Sequence, residues 1–157
     1  MDLNNLKSDP IVVVGGGFGG LATVQGLLAD SDGTSVILID EGDRFIFKPL
    51  LYELLSGELQ LWEVAPKYSD LALELGFIFL QEYVIEIDEI EQKLITSSDI
   101  EITYSQLVIS TGVTTDYSLL ENLEDYACGF SNLNDFRIIK KLIIKINNWL
   151  TLPFFNI

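Results

Sequence analysis

A glycine-rich segment near the start of the chain has the residue types and spacing of a dinucleotide-binding turn. Residues 11–14 form the β-branched run Ile-Val-Val-Val, and Gly15, Gly17 and Gly20 follow in the pattern G-x-G-x-x-G. In such a turn the first glycine permits a sharp bend, the second lets a diphosphate approach the main chain, and the third allows close helix–strand packing. The segment therefore predicts a strand, a tight turn and a helix over about residues 19–29, whose first N–H groups would bind the diphosphate.

Two acidic residues stand where a ribose-binding carboxylate is expected. Asp40 and Glu41 follow a second apolar run, residues 35–39, about 20 residues after the glycines. A carboxylate at Asp40 would accept hydrogen bonds from the ribose hydroxyls of an adenosine half and would repel a 2′-phosphate. We therefore predict FAD or NAD, rather than NADP, as the bound nucleotide. An ordinary glycine turn is the alternative, but it would not need the six glycines found between residues 15 and 26.

The length and charge of the chain restrict its possible partners. Its 157 residues, 48% of them hydrophobic, are enough for one domain, and no apolar run is long enough to span a membrane. The net charge of −15, from 24 acidic and 9 basic residues, is unfavourable for binding nucleic acid or an anionic membrane surface. A diphosphate would therefore be bound by main-chain amides rather than by lysine or arginine.

The absence of histidine restricts the possible chemistry. It excludes Ser–His and Cys–His nucleophiles and histidine-ligated metals. We predict no catalytic side chain and no metal site, because a redox cofactor brings its own chemistry. The single cysteine, Cys128, and the lack of an export signal favour a reducing, cytoplasmic location.

Periodicity along the rest of the chain predicts an alternation of helices and strands. A leucine stripe after Pro49 indicates a short helix, residues 66–75 a second helix that ends at Gly76, and residues 134–150 an amphipathic helix. Residues 77–80 and 107–109 are predicted buried strands, and residues 83–104 an antiparallel meander. The predicted fold class is α/β: a Rossmann-like doubly wound parallel sheet with an antiparallel β-meander insertion.

The predicted domain organisation follows from this order of elements. Most of the chain forms one FAD/NAD(P)-binding domain, and only its ends differ in character. The segments are a disordered lead-in (1–10), the Rossmann-like domain (11–131) with its meander at about 82–104, an amphipathic helix (132–150) and a tail (151–157).

A narrower resemblance is visible in residues 45–66. The stretch Phe-Ile-Phe-Lys-Pro-Leu-Leu-Tyr-Glu, which begins at Phe45, and the later Ala65-Pro66 resemble the F-x-F-x-P-L-L-Y-E and A-P signature of type II NADH dehydrogenases. The resemblance extends from about residue 11 to residue 150, and it includes Ser110-Thr-Gly in place of the usual Ala-Thr-Gly. Enzymes of this family pass electrons from NADH through FAD to quinone.

The resemblance implies a set of cofactor-binding residues, which are carried over here by position. Residues 15–20 would surround the diphosphate, and Asp40, beside Glu41, would hold the adenosine ribose. Val84 would meet adenine through its main chain. The full set is Gly15, Gly16, Gly17, Phe18, Gly19, Gly20, Asp40, Glu41, Val84, three residues along the flavin ring (Lys48, Pro49 and Leu50), and two after the last strand (Thr111 and Gly112).

The family's other partners are implied to lie beyond this chain. Relatives continue past the position of Ile157 with a second β-α-β unit for NADH and with segments that contact quinone and the membrane periphery. We therefore expect an incomplete fold that alone binds FAD weakly or not at all and oxidises NADH poorly. A separate C-terminal polypeptide could complete it, with peripheral membrane attachment if the two are joined.

Two other interpretations stay open from the sequence. A relative such as a sulfide:quinone reductase uses cysteine sulfurs near the flavin, and the single, late Cys128 argues against it. A non-catalytic remnant or nucleotide-binding module is the other alternative. The sequence specifies neither the quinone nor the oligomeric state.

Overall fold

The computed structural model describes residues 8–30, 33–116, 118 and 121–150, and these divide into two compact units. The first unit comprises Met1–Phe45 and Ala65–Val113, and the second comprises Ile46–Val64 and Thr114–Ile157. Residues 1–7 of the predicted lead-in, and the predicted tail 151–157, lie outside the described residues.

The first unit contains seven strands and two helices among its described residues. The strands are β1 (Ile11–Val14), β2 (Val36–Asp40), β3 (Ile78–Gln81), β4 (Val84–Asp88), β5 (Lys93–Thr96), β6 (Glu101–Thr103) and β7 (Gln106–Ile109). The helices are α1 (Phe18–Ala29) and α4 (Tyr68–Leu75), the latter ending at Gly76 in the left-handed conformation. Helices α2 (Leu51–Ser56) and α3 (Leu61–Val64) lie between α1 and α4 in the chain and belong to the second unit.

Four strands form a parallel sheet in the order β3-β2-β1-β7. The two central strands are almost entirely apolar, as expected for parallel strands that are covered on both faces. Because side chains alternate along a strand, Val13 and Leu38 point to one face, where they pack with Val24 of α1 and Tyr68 of α4.

The opposite face of the parallel sheet is covered by the antiparallel sheet β4-β5-β6. Val12 and Ile39 pack there against Leu94 of β5 and Ile102 of β6. The sheet is therefore sandwiched between helices and a β-meander. Its carboxyl ends, where β1 leads into the glycines and β2 ends at Asp40, lie at one edge.

The second unit is helical. It contains a 3-10 turn (Lys48–Leu50), α2 (Leu51–Ser56), α3 (Leu61–Val64), α5 (Leu123–Tyr126) and α6 (Leu133–Leu150). Leu51, Leu54 and Val64 are buried, and Leu133 and Phe136 of α6 pack against them. No helix in the described part of the chain is long and apolar enough to cross a membrane.

The predicted α/β class, with its parallel sheet and antiparallel meander, is confirmed. The helices and strands lie within two residues of their predicted bounds, but α3 and α5, each one turn long, were not predicted. The prediction that both outer strands are buried is wrong: β3 is half-buried, and Ile109 of β7 is 62% exposed. The physical reason is that each has only one neighbouring strand in the sheet.

Candidate functional site

The segment Gly15–Gly20, called the glycine turn below, connects β1 to α1 at the carboxyl edge of the sheet. Gly15 has a φ of +96°, which side chains with a Cβ rarely adopt. Its N–H donates to the carbonyl oxygen of Ile39 at 2.8 Å. The Ser110 hydroxyl, just after β7, donates to the Gly15 carbonyl oxygen at 2.8 Å. The turn is therefore attached to both strands that flank β1.

The two ends of the glycine turn differ in the space around them. A Cβ on Gly20 would overlap the Gly15 carbonyl oxygen, so α1 can approach β1 closely only with glycine at this position. A Cβ on Gly17 would meet nothing within 4 Å, and this residue is exposed. The contact between the turn and the helix is thus tight at Gly20, whereas the middle of the turn is open to a ligand.

The N-terminus of α1 begins at the open part of the turn. Gly17 is its N-cap, and no side chain caps the helix or places an acidic group in its first turn. Its first intrahelical hydrogen bond runs from the Leu21 N–H to the Gly17 carbonyl oxygen. The first N–H groups of an α-helix lie outside its own hydrogen-bond ladder, and they carry the positive end of the helix dipole.

Asp40, at the end of β2, accepts a hydrogen bond from the glycine turn. One carboxylate oxygen (Oδ2) accepts the N–H of Gly16 at 2.6 Å, and the other (Oδ1) accepts the N–H of Gly42 at 2.8 Å. Each carboxylate oxygen can accept more than one hydrogen bond, so the group keeps capacity for a ligand hydroxyl.

Tyr68, the first residue of α4, makes a contact that the sequence patterns did not predict. Its hydroxyl donates to the Gly16 carbonyl oxygen at 2.6 Å. The side chain is 2% exposed, and its ring lies 4.9 Å from that of Phe79, measured between centroids. Burial, reinforced by the negative charge of Asp40, raises the pKa of the Tyr68 hydroxyl far above its ordinary value, so it remains a donor.

The other predicted site residues of the first unit differ in their surroundings. Phe18 is exposed and meets Phe45 edge to face, at 5.2 Å between ring centroids. Thr111 lies next to Gly15, since a Cβ on Gly15 would come within 2.8 Å of the Thr111 Cα. The remaining positions are Gly19 beside Ser110, exposed Glu41 after β2, Gly112 with a φ of +72°, and Val84 at the start of β4.

Three predicted flavin-ring residues belong to the second unit. Lys48 and Pro49 are exposed on the 3-10 turn, and Leu50 packs against the buried leucines of that unit. The only cysteine, Cys128, is exposed there as well. Among the residues that the structure describes, no three acidic or cysteine side chains are arranged to hold a metal ion.

The model of one protein family, described as pyridine nucleotide-disulphide oxidoreductase, matches residues 9–146. The chain belongs to this family. The match includes the glycine turn, Asp40 and Tyr68. FAD is the cofactor that membership implies, and the geometry fits it, since an open stretch of main chain at a helix N-terminus suits a diphosphate.

The chain is similar to quinone-reducing enzymes of this family. Demethylphylloquinone reductase NdbB of Synechocystis sp. is 40% identical over an alignment of 141 residues that covers 84% of this chain and 35% of that protein. Alternative NAD(P)H-ubiquinone oxidoreductase C1 of Arabidopsis thaliana is 37% identical over 118 residues, 73% of this chain and 23% of that protein.

A solved structure of a quinone-dependent enzyme has the same fold over most of this chain. The sulfide:quinone oxidoreductase of Aquifex aeolicus superposes with a TM-score of 0.80 at 25% identity, covering 93% of this chain and 33% of that chain. The resemblance to the FAD-binding part of type II NADH dehydrogenases is confirmed. The chain spans about a third of the NdbB length, and less of the Arabidopsis protein.

Proposed function

We propose that this chain is the FAD-binding part of a flavin-dependent oxidoreductase that transfers electrons from NADH to a quinone. The observation that supports this most directly is the open glycine turn at the N-terminus of α1, with Asp40 beside it. Membership of the pyridine nucleotide-disulphide oxidoreductase family and the similarity to two quinone reductases support the reaction class.

In this proposal most of the contacts with FAD are made by main-chain groups. The N–H groups at Gly17 and at the start of α1 bind the diphosphate of FAD, and Asp40 accepts a ribose hydroxyl. A cationic side chain is not needed, which suits a chain with net charge −15. The exposed Lys48 and Pro49 and the half-buried Leu50 are proposed to contact the flavin ring, and Val84, Thr111 and Gly112 to approach the nucleotide.

The bound FAD supplies the redox chemistry, and this chain supplies its binding and orientation. The sequence contains one G-x-G-x-x-G segment, and the proposal assigns it to FAD. NADH and quinone are then bound by residues other than these, in the same protein or in a separate C-terminal polypeptide. We accordingly expect this chain by itself to oxidise NADH slowly.

The test is to titrate the purified chain with FAD and to follow the flavin absorption band and fluorescence. The informative variant is Gly17→Val, because a Cβ at this position meets no protein atom within 4 Å and the valine side chain would occupy the space proposed for the diphosphate. The matched control is Gly26→Val, at a helix position where a Cβ also meets nothing. We expect Gly17→Val to lose FAD and Gly26→Val to keep it. Equal FAD binding by both variants would contradict the proposed site.

The alternatives give different results in the same titration. A nucleotide-binding module without redox function would bind ADP as tightly as FAD, because the flavin ring would make no contacts. A sulfide:quinone reductase would need cysteine sulfur near the flavin, and Cys128 is the only cysteine. Replacing it with serine should leave flavin binding unchanged.

A further inference from the structure

Gly16 is held at both its N–H and its C=O by side chains from distant parts of the chain. Asp40 accepts the N–H at 2.6 Å, and Tyr68 donates to the carbonyl oxygen at 2.6 Å. Both side chains belong to the first unit. Gly16 itself is buried, whereas Gly17 is exposed.

The orientation of the Gly16 carbonyl determines where the next N–H points. In a trans peptide the carbonyl of one residue and the N–H of the next point in opposite directions, and no described peptide bond is cis. The Gly16 carbonyl points inward to the buried hydroxyl of Tyr68. The N–H of Gly17 must therefore point away from Tyr68, and Gly17 itself is exposed.

We propose that Tyr68 is a positioning residue that fixes this peptide so that the Gly17 N–H is directed at the diphosphate of the bound nucleotide. The inference rests on the proposed function and adds a residue to it. Without the hydroxyl, the Gly16–Gly17 peptide is free to rotate, because glycine on both sides imposes little restriction on the main chain. The Gly17 N–H would then no longer be oriented before the ligand binds, and ordering it on binding would cost binding free energy.

Gly16 is part of the same arrangement. A Cβ at this position would overlap the hydroxyl and ring of Tyr68, so the two residues are compatible only when residue 16 is glycine. This accounts for a glycine that the G-x-G-x-x-G pattern does not require. Tyr68 also packs on Phe79, so its ring is held independently of the hydrogen bond.

The test compares Tyr68→Phe with Tyr104→Phe in the full chain. Tyr104 is a matched control because it is also buried and its hydroxyl also donates to a main-chain carbonyl, that of Asp88, at 3.4 Å in the meander. The probes are ADP, which carries a diphosphate, and adenosine, which does not. We expect Tyr68→Phe to weaken ADP binding about tenfold or more, the value of one lost charge-assisted hydrogen bond, and to leave adenosine binding within twofold.

A second readout separates positioning from stability. In the wild-type protein and in Tyr104→Phe, saturating ADP should shift the Gly17 amide proton downfield, and in Tyr68→Phe this shift should be largely lost. If Tyr68→Phe proves too unstable to study, slow solvent exchange of the Tyr68 hydroxyl proton in the wild-type protein, slower still with ADP bound, supports the inference, and fast exchange overturns it.

The outcomes distinguish the inference from the proposed function. Equal ADP affinity and an equal Gly17 shift in Tyr68→Phe and wild type would overturn the positioning role while leaving the FAD site intact. A parallel loss of ADP and adenosine binding would also overturn it, because the effect would then be general. The proposed function requires that the wild-type chain bind ADP and FAD at least weakly. Wild-type protein that binds neither of them at the highest concentrations of the titration would overturn the proposed function and this inference with it.

Discussion

A carboxylate oxygen of Asp40 accepts the Gly16 N–H at 2.6 Å, although the two residues are 24 positions apart in the chain. The other oxygen of the same carboxylate accepts the Gly42 N–H at 2.8 Å. Asp40 is therefore a structural part of the glycine turn as well as the proposed ribose ligand. A substitution at Asp40 should therefore change both the stability of the turn and the binding of the nucleotide.

Asp40→Asn should affect both stability and nucleotide preference. Asparagine keeps one acceptor oxygen and replaces the other with an amide donor, so one of the two main-chain N–H groups loses its partner. We expect the free energy of unfolding, measured in urea, to fall by about 1–3 kcal/mol. The loss of negative charge should also reduce discrimination against a 2′-phosphate, measured as the ratio of affinities for ADP and 2′-phospho-ADP.

The control for this substitution is Asp43→Asn. Asp43 is exposed and makes a 3.5 Å contact with the neighbouring Arg44, so removing its charge should change stability by less than about 0.5 kcal/mol. It should not change the ratio of the two affinities. An equal change of that ratio in both variants would indicate a general effect of net charge rather than a contact of Asp40.

The raised pKa of Tyr68 predicts a loss of stability at alkaline pH. Its pKa in the folded state lies above the ordinary value of 10.0, so above that pH the unfolded chain releases a proton that the folded chain retains. The contribution of the protonated Tyr68 hydroxyl to the free energy of unfolding is therefore fully present below about pH 10. It declines as the pH rises further, by up to about 1.4 kcal/mol per pH unit. Urea unfolding between pH 9 and 11 should show a steeper decline for wild type than for Tyr68→Phe; parallel curves would contradict the prediction.

Gly16→Ala should destabilise the protein, although the substitution adds only one methyl group. The new Cβ would overlap the hydroxyl and ring of Tyr68, which is buried and packs on Phe79. Overpacking of this kind costs about 1–3 kcal/mol. Gly26→Ala, at an open helix position, should instead be neutral or stabilising by up to about 1 kcal/mol. Thermal unfolding of the two variants side by side gives the comparison.

The local patterns of the sequence predicted most of the fold. The β-branched run at residues 11–14, the glycine turn and the C-cap at Gly76 are each encoded within a few residues, so their positions follow from sequence alone. The exposure of β7 was not predictable in the same way. An apolar triplet looks the same in a central and an edge strand, and which one it becomes depends on the order β3-β2-β1-β7.

The sequence motif predicted where the candidate site lies, but it did not predict the contacts that support the site. G-x-G-x-x-G and the acid after β2 indicated where the turn and Asp40 lie. Tyr68 was not recognised because its partner, Gly16, is 52 residues away, and nothing in the helix pattern of residues 66–75 distinguishes a turn-binding tyrosine from a core one. The extra glycine at position 16 was the one local signal, since it indicated that something packs closely there.

Ser110→Ala is expected to weaken the connection between β7 and the glycine turn without removing the nucleotide site. The Ser110 hydroxyl lies within hydrogen-bond distance of two carbonyl oxygens, those of Val14 at 3.1 Å and Gly15 at 2.8 Å, on the inner side of the turn. Its loss should lower the free energy of unfolding by about 0.5–1.5 kcal/mol and change ADP affinity less than twofold. Ser98→Ala, which removes an exposed hydroxyl that donates to Glu82, is the matched control and should have a smaller effect on stability. A large loss of ADP affinity in Ser110→Ala would mean that the turn's shape depends on β7 more than on Asp40 and Tyr68.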